Sequence, residues 1–246
     1  MSESIVIVGR KPVLEALKAS GKVDVVFFLK GIRGELLKEI SELATNRKIS
    51  VLEVDQRKFD TLSKGAETTQ GVAAKIQAFQ TWSLQEVITY SLRRNKLLLA
   101  LDSVQDPQNL GAIIRTAECA GVDGIITTVH NSAPLSMTAF KTSAGAAAYM
   151  KICEVNNLVT AMEECKKAGF WSLGTALDEK KHAPKIDYNS PLLIVSGNEE
   201  KGLRRLVKEN CDFLVTIPML GEIQSLNVSV ATGVILFNTL RERGKW

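Results

Sequence analysis

The second half of the chain restricts the fold most. From Lys96 onward, five short apolar, mostly β-branched runs (KLLLALD, GIITT, WSLGTAL, PLLIVSG, FLVTIP) alternate with helical patterns: NLGAIIRTAECAG, NNLVTAMEECKKAG, KGLRRLVKENC and a final run from Val228. Runs that are apolar throughout suit strands buried on both faces, and strand–helix alternation builds a parallel sheet. The expectation is an α/β domain over residues 96–246, its mostly parallel sheet covered on both sides. In the last helix Val230, Val234, Phe237 and Leu240 recur at helical spacing, with Ile235 and Leu236 widening the stripe.

Residues 1–78 hold a smaller alternation. SIVIVG, VDVVFFLK, ISVLEVD and GVAAKIQAF read as strands, and KPVLEALKAS and GELLKEISELATNRK as helices. Residues 79–95, polar and amphipathic, read as a linker with a short helix.

Composition narrows the function classes. Among 246 residues 45% are hydrophobic and 24% charged, ordinary globular values. No apolar run approaches the roughly 20 residues of a membrane span, and MSESIVIVGR lacks the pattern of a secretory signal. Cys119, Cys153, Cys165 and Cys211 are scattered without a CxxC, which suits reduced thiols of a cytoplasmic protein. With His130 and His182 the only histidines, no metal site is expected. Residues 1–80 carry 13 Lys and Arg against 10 Asp and Glu, whereas residues 96–246 carry 16 of each. The surplus near the N-terminus is compatible with a nucleic-acid partner, though a solvated surface is the default reading. No GxGxxG follows the first strand of either unit, and neither a Walker A sequence nor GxSxG occurs.

In an open α/β sheet, ligands bind beyond the C-terminal ends of the strands. KLLLALD is followed by SVQDPQNLGAIIRTA, where Asn109 can cap a helix and Arg115 lies two turns inside it, so both could address one anion near the helix start. PLLIVSG is followed by Asn198-Glu199-Glu200-Lys201-Gly202, with Gly197 permitting a tight strand exit. FLVTIP runs into Gln224-Ser225-Leu226-Asn227 before the final helix, and either Ser225 or Asn227 can serve as its N-cap.

DPQNLGAIIRTA, LIVSGNEEKGL and IPMLGEIQSLNVSVATG, in this order and spacing, resemble the SpoU class of the SPOUT superfamily, RNA ribose 2′-O-methyltransferases. The resemblance covers essentially the whole chain and is nearest to members acting on a 23S rRNA guanosine of the peptidyl-tRNA loop. It implies a C-terminal α/β knot (a trefoil knot) and an N-terminal, L30e-like RNA substrate-binding domain. It also implies a homodimer and S-adenosylmethionine as cofactor. Asn109, Arg115, Glu199, Ser225 and Asn227 match the polar active-site positions, while Thr175, Gly197, Ile217 and Leu226 match cofactor-binding ones. Two departures stand out: Glu200 where relatives usually have glycine, and Thr69 before Gln70-Gly71 where many have histidine. A tRNA ribose 2′-O-methyltransferase and a non-catalytic RNA-binding ribosome-assembly factor remain alternatives.

Overall fold

The computed structural model describes residues 4–18, 23–63, 69–77, 81–176, 186–223 and 225–245. The polar loop DEKKHAPK and Gln224 fall outside them.

Two sheets organise the molecule. The first contains β1 (Ser4–Val8), β2 (Val23–Leu29), β3 (Ser50–Val54) and β4 (Val72–Gln77) in the order β1-β4-β2-β3. β4 runs antiparallel to both neighbours, whereas β2 and β3 are parallel. Alternation along β4 divides two packing layers. Ala74 faces α1 (Arg10–Lys18) and α2 (Glu35–Asn46) through Val13, Leu17 and Ile40, while Ala73 faces Phe59 of α3 (Gln56–Ser63). α3 has little periodic signal in the sequence, since only Phe59 and Leu62 give it an apolar side.

The second sheet is parallel throughout. It comprises β5 (Leu97–Leu101), β6 (Gly124–Thr128), β7 (Lys151–Val155), β8 (Trp171–Thr175), β9 (Leu192–Ser196) and β10 (Phe213–Val215), ordered β10-β8-β9-β5-β6-β7. Every residue of β5, β6 and β9 is buried, as unbroken apolar runs predict. Leu97, Leu99 and Leu101 share a core with α5 (Pro107–Cys119) and α9 (Val228–Glu242). Leu98 and Ala100 share the opposite one with α4 (Leu84–Leu92), α7 (Leu158–Lys167) and α8 (Arg205–Glu209). The helix expected within the linker is therefore packed against the sheet, with Val87 and Ile88 buried. β7 and the short α6 (Met137–Thr142) were not foreseen, since five-residue KICEV and six-residue MTAFKT carry little periodicity.

Two expectations change. α8 has only five residues, because Lys201–Leu203 belong to a loop closed by backbone bonds between Asn198 and Gly202. In α9 the predicted stripe faces the wrong way in part: Val230 and Val234 are exposed, and the buried side is Val228, Thr232, Ile235, Leu236 and Thr239. A helix apolar on nearly every side has no period from which to choose a face. Its two buried threonines are tolerated because each hydroxyl donates to a carbonyl one turn back, Thr232 to Val228 (2.7 Å) and Thr239 to Ile235 (2.8 Å).

Candidate active site

β5 and β9 are neighbours, and the sheet extends in opposite directions from them, toward β6 on one side and β8 on the other. Such a switch in strand order leaves a crevice at the C-terminal strand ends. The loop leaving β9 is fastened there from several sides. Gly197 lies against Gly202 and Leu203 so closely that a Cβ would sit 2.3 Å from the Gly202 carbonyl carbon, which reserves the position for glycine. Asn198 Oδ1 accepts the amides of Glu200 (3.0 Å) and Lys201 (3.1 Å), an Asx turn. Just past β5, fully buried Asp102 accepts from the Arg204 amide at 2.7 Å and from its Nε at 2.6 Å. A buried carboxylate held by a charged donor and a backbone amide avoids the cost of an unpaired charge.

A chain of amides crosses the crevice. Asp106, not Asn109, caps α5, accepting the Gln108 amide with Pro107 at the first helical position. That leaves the Asn109 side chain free to bridge two loops. Its Nδ2 donates to Glu199 Oε1 (3.1 Å), and its Oδ1 accepts from Asn227 Nδ2 (2.9 Å). Glu199 Oε2 accepts from Asn198 Nδ2 at 3.0 Å, so both carboxylate oxygens are engaged. Asn227 caps α9 with its oxygen, accepting the Ser229 amide at 2.8 Å, while its nitrogen makes the tie to Asn109. Of the two N-cap candidates it is Asn227, and capping coexists with a place in the polar chain.

Beside this chain lies a cleft open to solvent. Thr175, Gly197, Ile217, Leu226, Ser225 and Glu199 all line it. Of the nine expected site residues, Asn109 and Asn227 join it through Glu199. Arg115 does not: it is exposed on α5 and forms no hydrogen bond or ion pair with another described residue. Ile217, Leu226 and Val228 give the cleft an apolar side, and Ser196, Asn198 and Glu199 a polar one. This suits a flat heterocycle carrying a polar arm, so a nucleoside-type cofactor such as S-adenosylmethionine fits the residues present. Two roles have no assignment in the sequence: that of Asn198, although its segment is marked there, and that of the Asp102–Arg204 pair. The first is signalled by an Asn just past a strand-ending Gly. The second joins residues 102 apart and has no local signature.

Residues 96–237 match the SpoU rRNA Methylase family. The chain belongs to that family. Residues 6–82 match the domain described as RNA 2′-O ribose methyltransferase substrate binding. The 23S rRNA (guanosine-2′-O-)-methyltransferase RlmB of Pseudomonas aeruginosa is 40% identical over 225 residues, 90% of each chain. An AdoMet-bound rRNA methyltransferase from Sinorhizobium meliloti superposes with a TM-score of 0.80 at 28% identity, covering 97% of this chain and 87% of that one. The A. aeolicus TrmH/SpoU tRNA modifying enzyme gives 0.56 at 31% identity, covering 66% and 83%. As a SpoU family member with both family domains, the protein is an RNA 2′-O-methyltransferase.

Proposed function

We propose that the protein transfers a methyl group from S-adenosylmethionine to the ribose 2′-hydroxyl of a guanosine in 23S rRNA. The observation that carries this reading is the polar chain Asn227–Asn109–Glu199 standing at the rim of the cleft at the switch point of the sheet. An rRNA substrate is supported by the match of residues 6–82 to a substrate-binding domain, and by the 23S rRNA enzyme at 40% identity. The A. aeolicus TrmH/SpoU tRNA modifying enzyme covers 66% of this chain.

Bound in the cleft by Thr175, Gly197, Ile217 and Leu226, the cofactor would supply a methyl group made electrophilic by its sulfonium. The protein's own work is alignment and charge. Asn109, Ser225 and Asn227 would orient the ribose, and Glu199 would fix Asn109 from the other side. Arg115 would bind an RNA phosphate and stabilise negative charge developing on the 2′-oxygen as its proton passes to water in the open cleft, the demethylated thioether being the leaving group. A guanidinium stays protonated, which suits it to this role better than to that of base.

The test is transfer of labelled methyl from S-adenosylmethionine to separate pools of unmodified 23S rRNA, 16S rRNA and tRNA. Label in 23S rRNA alone is expected, with Arg115→Ala lowering turnover at least about 100-fold while leaving cofactor affinity within about twofold. Label confined to tRNA would overturn the substrate, and near-normal turnover by the variant would overturn the role of Arg115.

We also propose that two copies pair through the apolar surface beside the cleft. Leu220 is 99% exposed, Ile223 77%, Val230 51% and Val234 43%, an unusual concentration for a surface facing only water. Sedimentation equilibrium should give twice the chain mass, and Val230→Asp with Val234→Asp should halve it. A single-chain mass at micromolar concentration for the unaltered protein would sink the pairing.

A further inference from the structure

A second groove, about 1060 Å³ and open to solvent, lies across Glu199 from the cofactor cleft. The two share Asn198, Glu199 and Gly202 as a common wall, so whatever enters the groove lies next to the cofactor cleft. Most charged groups around the groove are already engaged. Asp106 caps α5, Glu199 accepts from two amides, and Arg204 is held through Nε by Asp102. Glu200 and Lys201 differ. Both line the groove and are exposed, and neither side chain bonds to another described residue. Their backbone amides are nonetheless pinned by Asn198 Oδ1, so the two free charges are carried on a fixed turn.

We propose that this groove seats the target base, and that Glu200 and Lys201 select guanine. The inference rests on reading the cleft as a ribose 2′-O-methyltransferase site. A base displaced from its stack is read by hydrogen bonds to its Watson–Crick edge. Guanine there presents two adjacent donors, N1–H and the N2 amino group, with the O6 acceptor beside them. A carboxylate accepts both donors side by side, and a neighbouring ammonium donates to O6. Adenine reverses the pattern: its N1 is an acceptor facing the carboxylate, and its N6 amino group is a donor facing the ammonium. Uracil keeps one donor, N3–H, flanked by carbonyl oxygens, and falls between the two. Glu200 thus adds negative charge next to an RNA site because the edge it meets is donor-rich.

The experiment locates the methylated nucleotide of 23S rRNA by its resistance to alkaline cleavage. It then uses transcripts carrying G, inosine, U or A at that position, with the intact protein and with Glu200→Ala. The unaltered protein should rank G above inosine and U, and A last. Glu200→Ala should lower kcat/KM for G by about 10- to 100-fold, as loss of a bidentate base contact does, and bring G and A within about threefold of each other. Fluorescence anisotropy of the same RNAs without cofactor should show the same loss of preference in Kd. Calorimetric affinity for S-adenosylmethionine should stay unchanged, which reports an intact fold. Retained preference for G in Glu200→Ala, or no preference in the unaltered protein, would overturn the proposal. Methyl transfer to no RNA at all by the unaltered protein would instead overturn the functional reading beneath it.

Discussion

Asn227 does two jobs with the two ends of one amide: its oxygen caps α9 and its nitrogen reaches Asn109. Substitution can separate them. Asn227→Asp keeps an oxygen for the Ser229 amide but sets a second oxygen against Asn109 Oδ1, which is an acceptor. Asn227→Ala removes both functions. The alanine variant should lose about 1 kcal/mol of stability, the usual value of an N-cap, together with activity. The aspartate variant should melt close to the unaltered protein yet turn over at least about tenfold more slowly, since one misdirected hydrogen bond of about 1.5 kcal/mol suffices for that. Equal activity in the aspartate variant would reduce Asn227 to a capping residue. The sequence showed Ser225 and Asn227 as equal candidates for the cap, because both side chains have suitable oxygens. Only the backbone path into Val228 selected one.

The cofactor cleft depends on elements being held in place, and the end of α9 supplies one such hold. Arg243 donates through Nε to the Tyr188 carbonyl (2.6 Å) and through its two terminal nitrogens to the carbonyls of Asn95 (2.7 Å), Ser190 (3.2 Å) and Lys96 (3.3 Å). These carbonyls lie just before β5 and β9, the two strands whose far ends form the site. Burial lowers the pKa of its guanidinium, an effect opposed by Asp123 and Asp187. From the other side, buried Asp123 accepts Ser91 Oγ (2.9 Å) and the amides of Leu97 and Asn95, which binds α4 to the start of β5. Arg243→Ala should cost about 2–4 kcal/mol in denaturant unfolding by leaving several carbonyls unpaired. Arg243→Lys should recover less than half, because an ammonium cannot reproduce the planar fork. A loss below 0.5 kcal/mol, the ordinary surface range, would show that water replaces the guanidinium. The RER tripeptide at 241–243 gave no hint of this clamp, since the partners of Arg243 lie 53 to 148 residues away.

For the whole molecule, the four-stranded unit and the six-stranded unit have separate sheets, and the polar chain and the cleft belong entirely to the second. α1 nevertheless meets the segment following α6, where Tyr149 Oη donates to Glu15 Oε2 at 3.1 Å. If the first unit gathers RNA, a chain starting at residue 79 should bind S-adenosylmethionine within about threefold of the full protein but RNA at least about tenfold more weakly, because the phosphate-contacting cations of the first unit are gone. Isothermal titration with each ligand would check this, with RNA affinity measured at one fixed salt concentration. Unchanged RNA affinity would remove the first unit from substrate capture.

Local sequence determined the parallel second sheet. KLLLALD and PLLIVSG are apolar on both faces, and a strand of that kind has no stable place except between two layers. It also marked the segments that converge at the site, since DPQNLG, SGNEEKG and QSLN each follow a strand and are polar where the chain would otherwise continue apolar. Tertiary structure decided what these residues touch. It turned Asn109 from a presumed cap into the bridge between Glu199 and Asn227, 90 and 118 residues distant. It set the buried side of α9, whose composition is apolar all round, by placing α5 and β9 against Val228, Thr232 and Ile235. Side-chain period is a property of one element and can be read along the chain. A hydrogen bond or an ion pair between loops depends on the positions of two strand ends, and those are fixed only when the whole sheet is assembled.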